Sequence, residues 1–123
     1  MNAGRERILV VDDDDTVRDI VSKMLCRLGF EVSSADSAES GFALFIKNKF
    51  DLVITDFCMS GMDGINLAYN IKEKSPATQV VLMTGNEKED ILSRIRDTAV
   101  DQALFKPFTL AEMDVTVQGL LHP

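Results

Sequence analysis

The sequence predicts an α/β fold, a doubly wound parallel sheet of five strands with helices on both faces. Three observations carry this. Short apolar, β-branched runs alternate with amphipathic helical patterns through five strand-then-helix repeats. The runs read as continuous apolar stretches, as strands buried on both faces do. Polar residues then collect where the runs end, at the strand ends where an open parallel sheet binds ligands.

Each element follows from local chemistry. Residues 7–11 are short, apolar and β-branched, a first strand. Val17, Ile20, Val21, Met24, Leu25 and Leu28 recur at steps of three and four, one face of a helix. Asp14 and Asp15 begin that helix, where carboxylates favour the positive end of its dipole. Gly29 follows, where helices commonly stop. Residues 31–35 form a weaker second strand. Ser37 is the expected N-cap of a helix from 38 to about 48, with Phe42, Phe45 and Ile46 inward. Residues 51–55 are a buried third strand ending in Asp56. Gly61 to Gly64 is turn chemistry, and a helix over about 65–73 follows, with Pro76 in the next loop. Residues 79–85 are a fourth strand running through Thr84. Asn86 and Glu89 resemble a capping box for a helix reaching about 98. Residues 102–105 are a short fifth strand. Thr109 and Glu112 make a capping box for a last helix holding Leu110, Met113, Val117 and Leu120.

The chain has 123 residues, enough for one core and one domain, with a short tail over about 1–6 and no segment for an output domain. Hydrophobic residues make up 46% and charged residues 27%, as in globular proteins. The net charge of −7 opposes direct nucleic-acid binding or attachment to an anionic membrane, since both require basic patches. No apolar run is long enough to span a bilayer, and the charged N-terminus is unlike a signal peptide. Cys26 and Cys58 form no metal or redox motif, which suits reduced thiols in a cytoplasmic protein.

Asp12 and Asp13 lie after the first strand, Asp56 after the third, Thr84 after the fourth and Lys106 after the fifth. Three carboxylates at neighbouring strand ends share a site only if a cation joins them. A hard divalent ion with oxygen ligands, Mg²⁺, is the natural candidate, and it favours partners that bring phosphate oxygens. Lys106 offers a compact positive charge to a phosphoryl group or to Asp56. The Thr84 hydroxyl can donate one hydrogen bond to the same group. Such a site moves phosphoryl groups by positioning and charge neutralisation, with Asp56 as nucleophile.

The segments VVDD (10–13), DLVITDFCMSGMDG (51–64), VVLMTG (80–85) and FKPF (105–108) resemble, in order and spacing, the bacterial two-component response regulator receiver domain. The resemblance implies the flavodoxin-like, CheY-like strand order 2-1-3-4-5. It makes Asp56 the phospho-acceptor, with Mg²⁺ held by Asp13, Asp56 and the backbone carbonyl of Cys58, and Asp12 assisting through a water. Thr84 becomes the switch hydroxyl and Lys106 the phosphate contact, with a cis peptide before Pro107. It implies a regulatory domain catalysing only its own phosphoryl transfer and slow dephosphorylation. The implied partners are a histidine kinase or phosphotransfer protein upstream and a protein or output domain downstream. The latter reads the face of the fourth helix, fifth strand and last helix, the chain being a monomer or a phosphorylation-dependent dimer.

Departures from the family pattern are local. Ala103 stands where the family often has Tyr or Phe, and Phe105, expected on the same face, is read first as a core residue. Ala99 and Val100 replace a Gly-Ala pair, and Ser60 replaces a Pro. Cys58 and Asn86 occupy positions that tune phosphate lifetime. Met59 and Met62 are expected to be loop packing. His122, the only histidine, is expected in a disordered tail. Two other functions fit parts of the sequence. The missing aromatic suits a receiver-like module that binds a partner without phosphorylation. Asp12 to Thr16 spells D-x-D-x-T, similar to the first motif of haloacid-dehalogenase-type phosphatases, with Asp12 as nucleophile and Asp14 as acid/base. That second option leaves Asp56 without a role and requires an insertion where the first helix begins almost at once.

Overall fold

Strands β1 (Arg7–Val11), β2 (Glu31–Ala35), β3 (Leu52–Asp56), β4 (Gln79–Thr84) and β5 (Gln102–Phe105) form one sheet in the computed structural model. It describes residues 5–59, 63–85, 93, 95 and 98–123. The strand order is β2-β1-β3-β4-β5 and every pairing is parallel, as expected. Helices α1 (Asp15–Arg27), α2 (Ala38–Lys47) and α3 (Gly64–Lys74) and a C-terminal helix (Leu110–Leu121) cover it. Most of the expected helix over 86–98, with its Asn86 cap, lies outside the described residues, as do Ser60, Gly61 and Met62, while Ser93 and Ile95 are helical.

Strand alternation sorts the apolar residues into two cores. Leu9, Val11, Val53, Val80 and Leu82 face α2 and α3, where Phe45, Leu67, Ala68 and Ile71 complete the layer. Ile8, Val10, Leu52, Ile54, Val81 and Met83 face α1 and the C-terminal helix, against Val21, Leu25, Met113 and Val117. The strands are therefore apolar on both faces because both faces are covered.

The helix ends use the residues the sequence marks. The Asp14 carboxylate caps α1, accepting from Thr16 N at 2.9 Å and Val17 N at 3.1 Å. Ser37 caps α2 through Ser40 N. Thr109 and Glu112 form the reciprocal capping box. Gly29, after α1, has φ +98°, which an L side chain rarely adopts. Asp63, expected only as part of a turn, caps α3 by accepting from Asn66 N at 2.9 Å.

Three expectations are corrected. Ile20 is 49% exposed and Ile46 57% exposed. Each obeys three/four spacing but sits on the shoulder of its helix's buried arc, which Val21 and Leu25 centre in α1 and Ala38 and Phe45 in α2. His122 is held rather than loose: it caps the C-terminal helix, and its Nε2 lies 2.9 Å from Glu6 Oε1. Glu6 is likewise tied in, its carbonyl accepting from Glu31 N at 3.0 Å, so the ordered sheet edge reaches back beyond Arg7.

Candidate functional site

Parallel strands deliver the site. β1 ends where Val11 pairs with Ala35, and Asp12 extends the ladder by one bond, its N donating to Ala35 O at 3.2 Å. Asp56 closes β3 opposite Met83, and Thr84 closes β4 opposite Phe105. Lys106 N donates to Thr84 O at 2.8 Å, so the lysine leaves the sheet directly beside the threonine. Its peptide bond to Pro107 is cis, as the resemblance implies.

Side chains of Asp12, Asp13 and Asp56 converge: one carboxylate oxygen from each lies within 4.8 Å of the others. Lys106 Nζ sits 2.9 Å from Asp56 Oδ1 and 3.8 Å from Asp12 Oδ2. Asp13 is exposed, Asp56 partly buried, and Asp12 and Thr84 buried. Cys58 lies two residues past Asp56 with an exposed side chain.

Asp12 is the costly member. Its Oδ1 accepts from Asp14 N at 2.9 Å, while its buried Oδ2 has no hydrogen-bond partner. Burial pushes its pKa up, and the charges of Asp56 and Asp13 push the same way. The Asp14 amide and Lys106 offset part of the rise. An orphaned buried carboxylate oxygen beside two further carboxylates is the donor set of a hard divalent cation, so the residues fit Mg²⁺.

The sequence alone assigns no site role to three supporting residues. A Cβ on Gly64 would stand 2.4 Å from Asp56 O and 2.7 Å from Leu82 Cδ1, so only glycine lets α3 start against the acceptor strand. Thr55 Oγ1 donates to Asp56 O at 3.1 Å. Arg18 donates from NH1 to Asp12 O at 2.8 Å and pairs through NH2 with Asp15. For Arg18 the available signal is its three-residue spacing from Asp15. For Gly64 it is a glycine at the first position of a helix.

Ala103 and Phe105 both pack against the core shared with α2 and α3, which agrees with the expectation of one face. Met59 packs there too. Among the described residues no helix is long and apolar enough to cross a membrane.

A five-stranded parallel domain with this cluster of acids, a threonine and a lysine at its strand ends is of the receiver type. The chain belongs to the response regulator receiver domain family, whose pattern matches residues 8–118. It is similar to the chemotaxis protein CheY-3 of Vibrio cholerae, 36% identical over 110 residues, covering 87% of this chain and 85% of that protein. It is also similar to the probable transcriptional regulator ycf27 of Cyanidium caldarium, 29% identical over 98% of this chain but only 48% of that protein. The chain thus spans about half the length of several relatives it matches. Among solved structures, Vibrio cholerae CheY4 superposes with a TM-score of 0.90 at 26% identity, covering 96% of this chain and all of that one. Response regulator TrrA of Thermotoga maritima, solved in complex with Mg(2+)-BeF, superposes with a TM-score of 0.83 at 31% identity, over 94% of this chain and 99% of that one. The family is a regulatory one of two-component signalling, not a class of metabolic enzymes.

Proposed function

We propose that this chain is a phospho-accepting receiver, with Asp56 taking a phosphoryl group from the phosphohistidine of a kinase or phosphotransfer protein. One observation carries the reading: three carboxylates meet within 4.8 Å, and the central one already contacts a lysine at 2.9 Å. Asp13, Asp56 and the Cys58 carbonyl are the proposed Mg²⁺ ligands, with Asp12 assisting. Mg²⁺, when bound, supplies the positive charge that lets these carboxylates and the phosphoryl oxygens share one space.

The chain's own residues do the rest. An Asp56 carboxylate oxygen attacks phosphorus as the P–N bond breaks. The electron pair leaves with the imidazole nitrogen, which takes up a proton, and Asp56 becomes an acyl phosphate. Lys106 then shares its charge between Asp56 and the new phosphoryl oxygens. Thr84 donates its hydroxyl to the same group and draws the end of β4 with it. The Lys106 N to Thr84 O bond carries that movement into β5. Partners read the surface of β5 and the C-terminal helix, where Val115 is 73% exposed. Population of a second arrangement, favoured by the phosphoryl charge, is the physical description.

Intact mass after incubation with Mg²⁺ and acetyl phosphate tests this. The wild-type chain gains one phosphoryl group, the gain disappears with EDTA, and Asp56→Asn gains none. Uptake by Asp56→Asn would point to another acceptor, Asp12 first, and overturn the assignment.

A further inference from the structure

Asp12 is fixed at its backbone as well as its side chain, and the residue responsible lies outside the acid cluster. Val11 is the last residue of β1 in the ladder, so the Asp12 carbonyl lies beyond the strand's own hydrogen bonding. Asp12 is 1% exposed, and a carbonyl at that depth needs a donor. Arg18, one turn into α1, supplies the donor at 2.8 Å. Its other arm pairs with Asp15 in the first turn. Asp12 is then held at N by Ala35 O, at O by Arg18 and at Oδ1 by Asp14 N. The remaining oxygen, Oδ2, is the orphan, and it lies on the side of Lys106.

We infer that Arg18 is a positioning residue for cation binding: its fork locks the β1–α1 turn so that Asp12 and Asp13 are set for the metal before it arrives. The inference rests on the proposed phospho-acceptor reading and deepens it. Two physical effects of Arg18 oppose each other. Its positive charge near the acids repels a cation, so a purely electrostatic role makes its removal tighten Mg²⁺ binding. Preorganising the ligands does the reverse, since groups that orient metal ligands contribute to affinity through geometry. The sign of the change therefore identifies the role.

The test is a Mg²⁺ titration of the full chain followed by amide NMR shifts, together with hydrogen exchange at the Asp14 amide in the metal-free protein. Arg18→Ala weakens Mg²⁺ binding by about tenfold and speeds Asp14 exchange. Arg18→Lys keeps the charge without the fork, so it binds Mg²⁺ no more tightly than Arg18→Ala. Asp15→Asn, which loosens the second arm, weakens binding in the same direction and by less. All are measured below the melting temperature of each variant, and the amides of β3 serve as the exchange control, since a loss of overall stability speeds them together with Asp14. Binding in Arg18→Ala as tight as wild type, or tighter, overturns the positioning role while leaving the acceptor assignment standing. Failure of the wild type to bind Mg²⁺ overturns both.

Discussion

The two ends of the sheet handle charge in opposite ways. At the amino-terminal ends of the strands several charges pair locally. Arg7 meets Glu31 at 3.2 Å, Asp51 accepts from Arg7 N at 2.8 Å, and Glu6 contacts His122. Asp101 accepts from Val80 N at 2.7 Å and meets Lys72 at 2.8 Å. Each contact ties one strand start to its neighbour or to a helix, so this edge stabilises register. At the carboxyl-terminal ends, three acids crowd within 4.8 Å around one lysine, and a buried oxygen is left without a hydrogen bond. Like charges assembled against their own repulsion mark the edge that works rather than the edge that holds.

That contrast can be broken at either end. The largest effect belongs to Gly64→Ala, which drives a methyl into the Asp56 carbonyl and should cost about 2–4 kcal/mol of stability in a urea melt. It disturbs the working edge without altering any charge. Asp101→Ala removes an ion pair and the acceptor for a β4 amide on the holding edge. Its expected cost is about 1–3 kcal/mol, with no loss of Mg²⁺ affinity.

Asp12→Asn should have the opposite sign. The folded state raises the Asp12 pKa, so the ionised carboxylate opposes folding. That cost is present above the raised pKa and vanishes as pH falls through it. The substitution is therefore expected to stabilise the metal-free chain at pH 7, an effect that fades in acid, as thermal melts across pH will read. In saturating Mg²⁺ the order reverses, because the wild type gains more from the ion than the variant does. The smallest effect is that of His122→Ala on the holding edge, under about 0.5 kcal/mol, since the pair with Glu6 is exposed. A stabilising effect from Asp101→Ala, or a costly one from Asp12→Asn without metal, would abolish the distinction between the two edges.

Much of this was legible in the sequence because the fold obeys short-range rules. Doubly buried strands read as apolar runs, and Ser37, Thr109 and Asp14 sit where caps belong. The parallel-sheet rule then placed Asp12, Asp13, Asp56, Thr84 and Lys106 at one edge without any knowledge of side-chain packing. What escaped depends on distance in the chain. Gly64 matters because of a carbonyl in another element, and His122 because of Glu6 at the opposite end of the chain. Arg18 contributes through a backbone atom, which no residue-type pattern records. Ile20 and Ile46 failed because three/four spacing defines an arc without fixing its edges.

The alternation that divides the apolar residues into two cores has a genetic consequence. Residues of β3 alternate strictly, with Val53 on one side and Leu52 and Ile54 on the other, and Asp56 ends the same strand. Replacing one of these side chains with another of similar volume leaves the rest where they were. Inserting or deleting a single codon within the strand exchanges the two sides for every residue beyond it and turns the Asp56 carboxylate away from its partners. Drift in this gene can therefore alter the letters of β3 far more freely than their number.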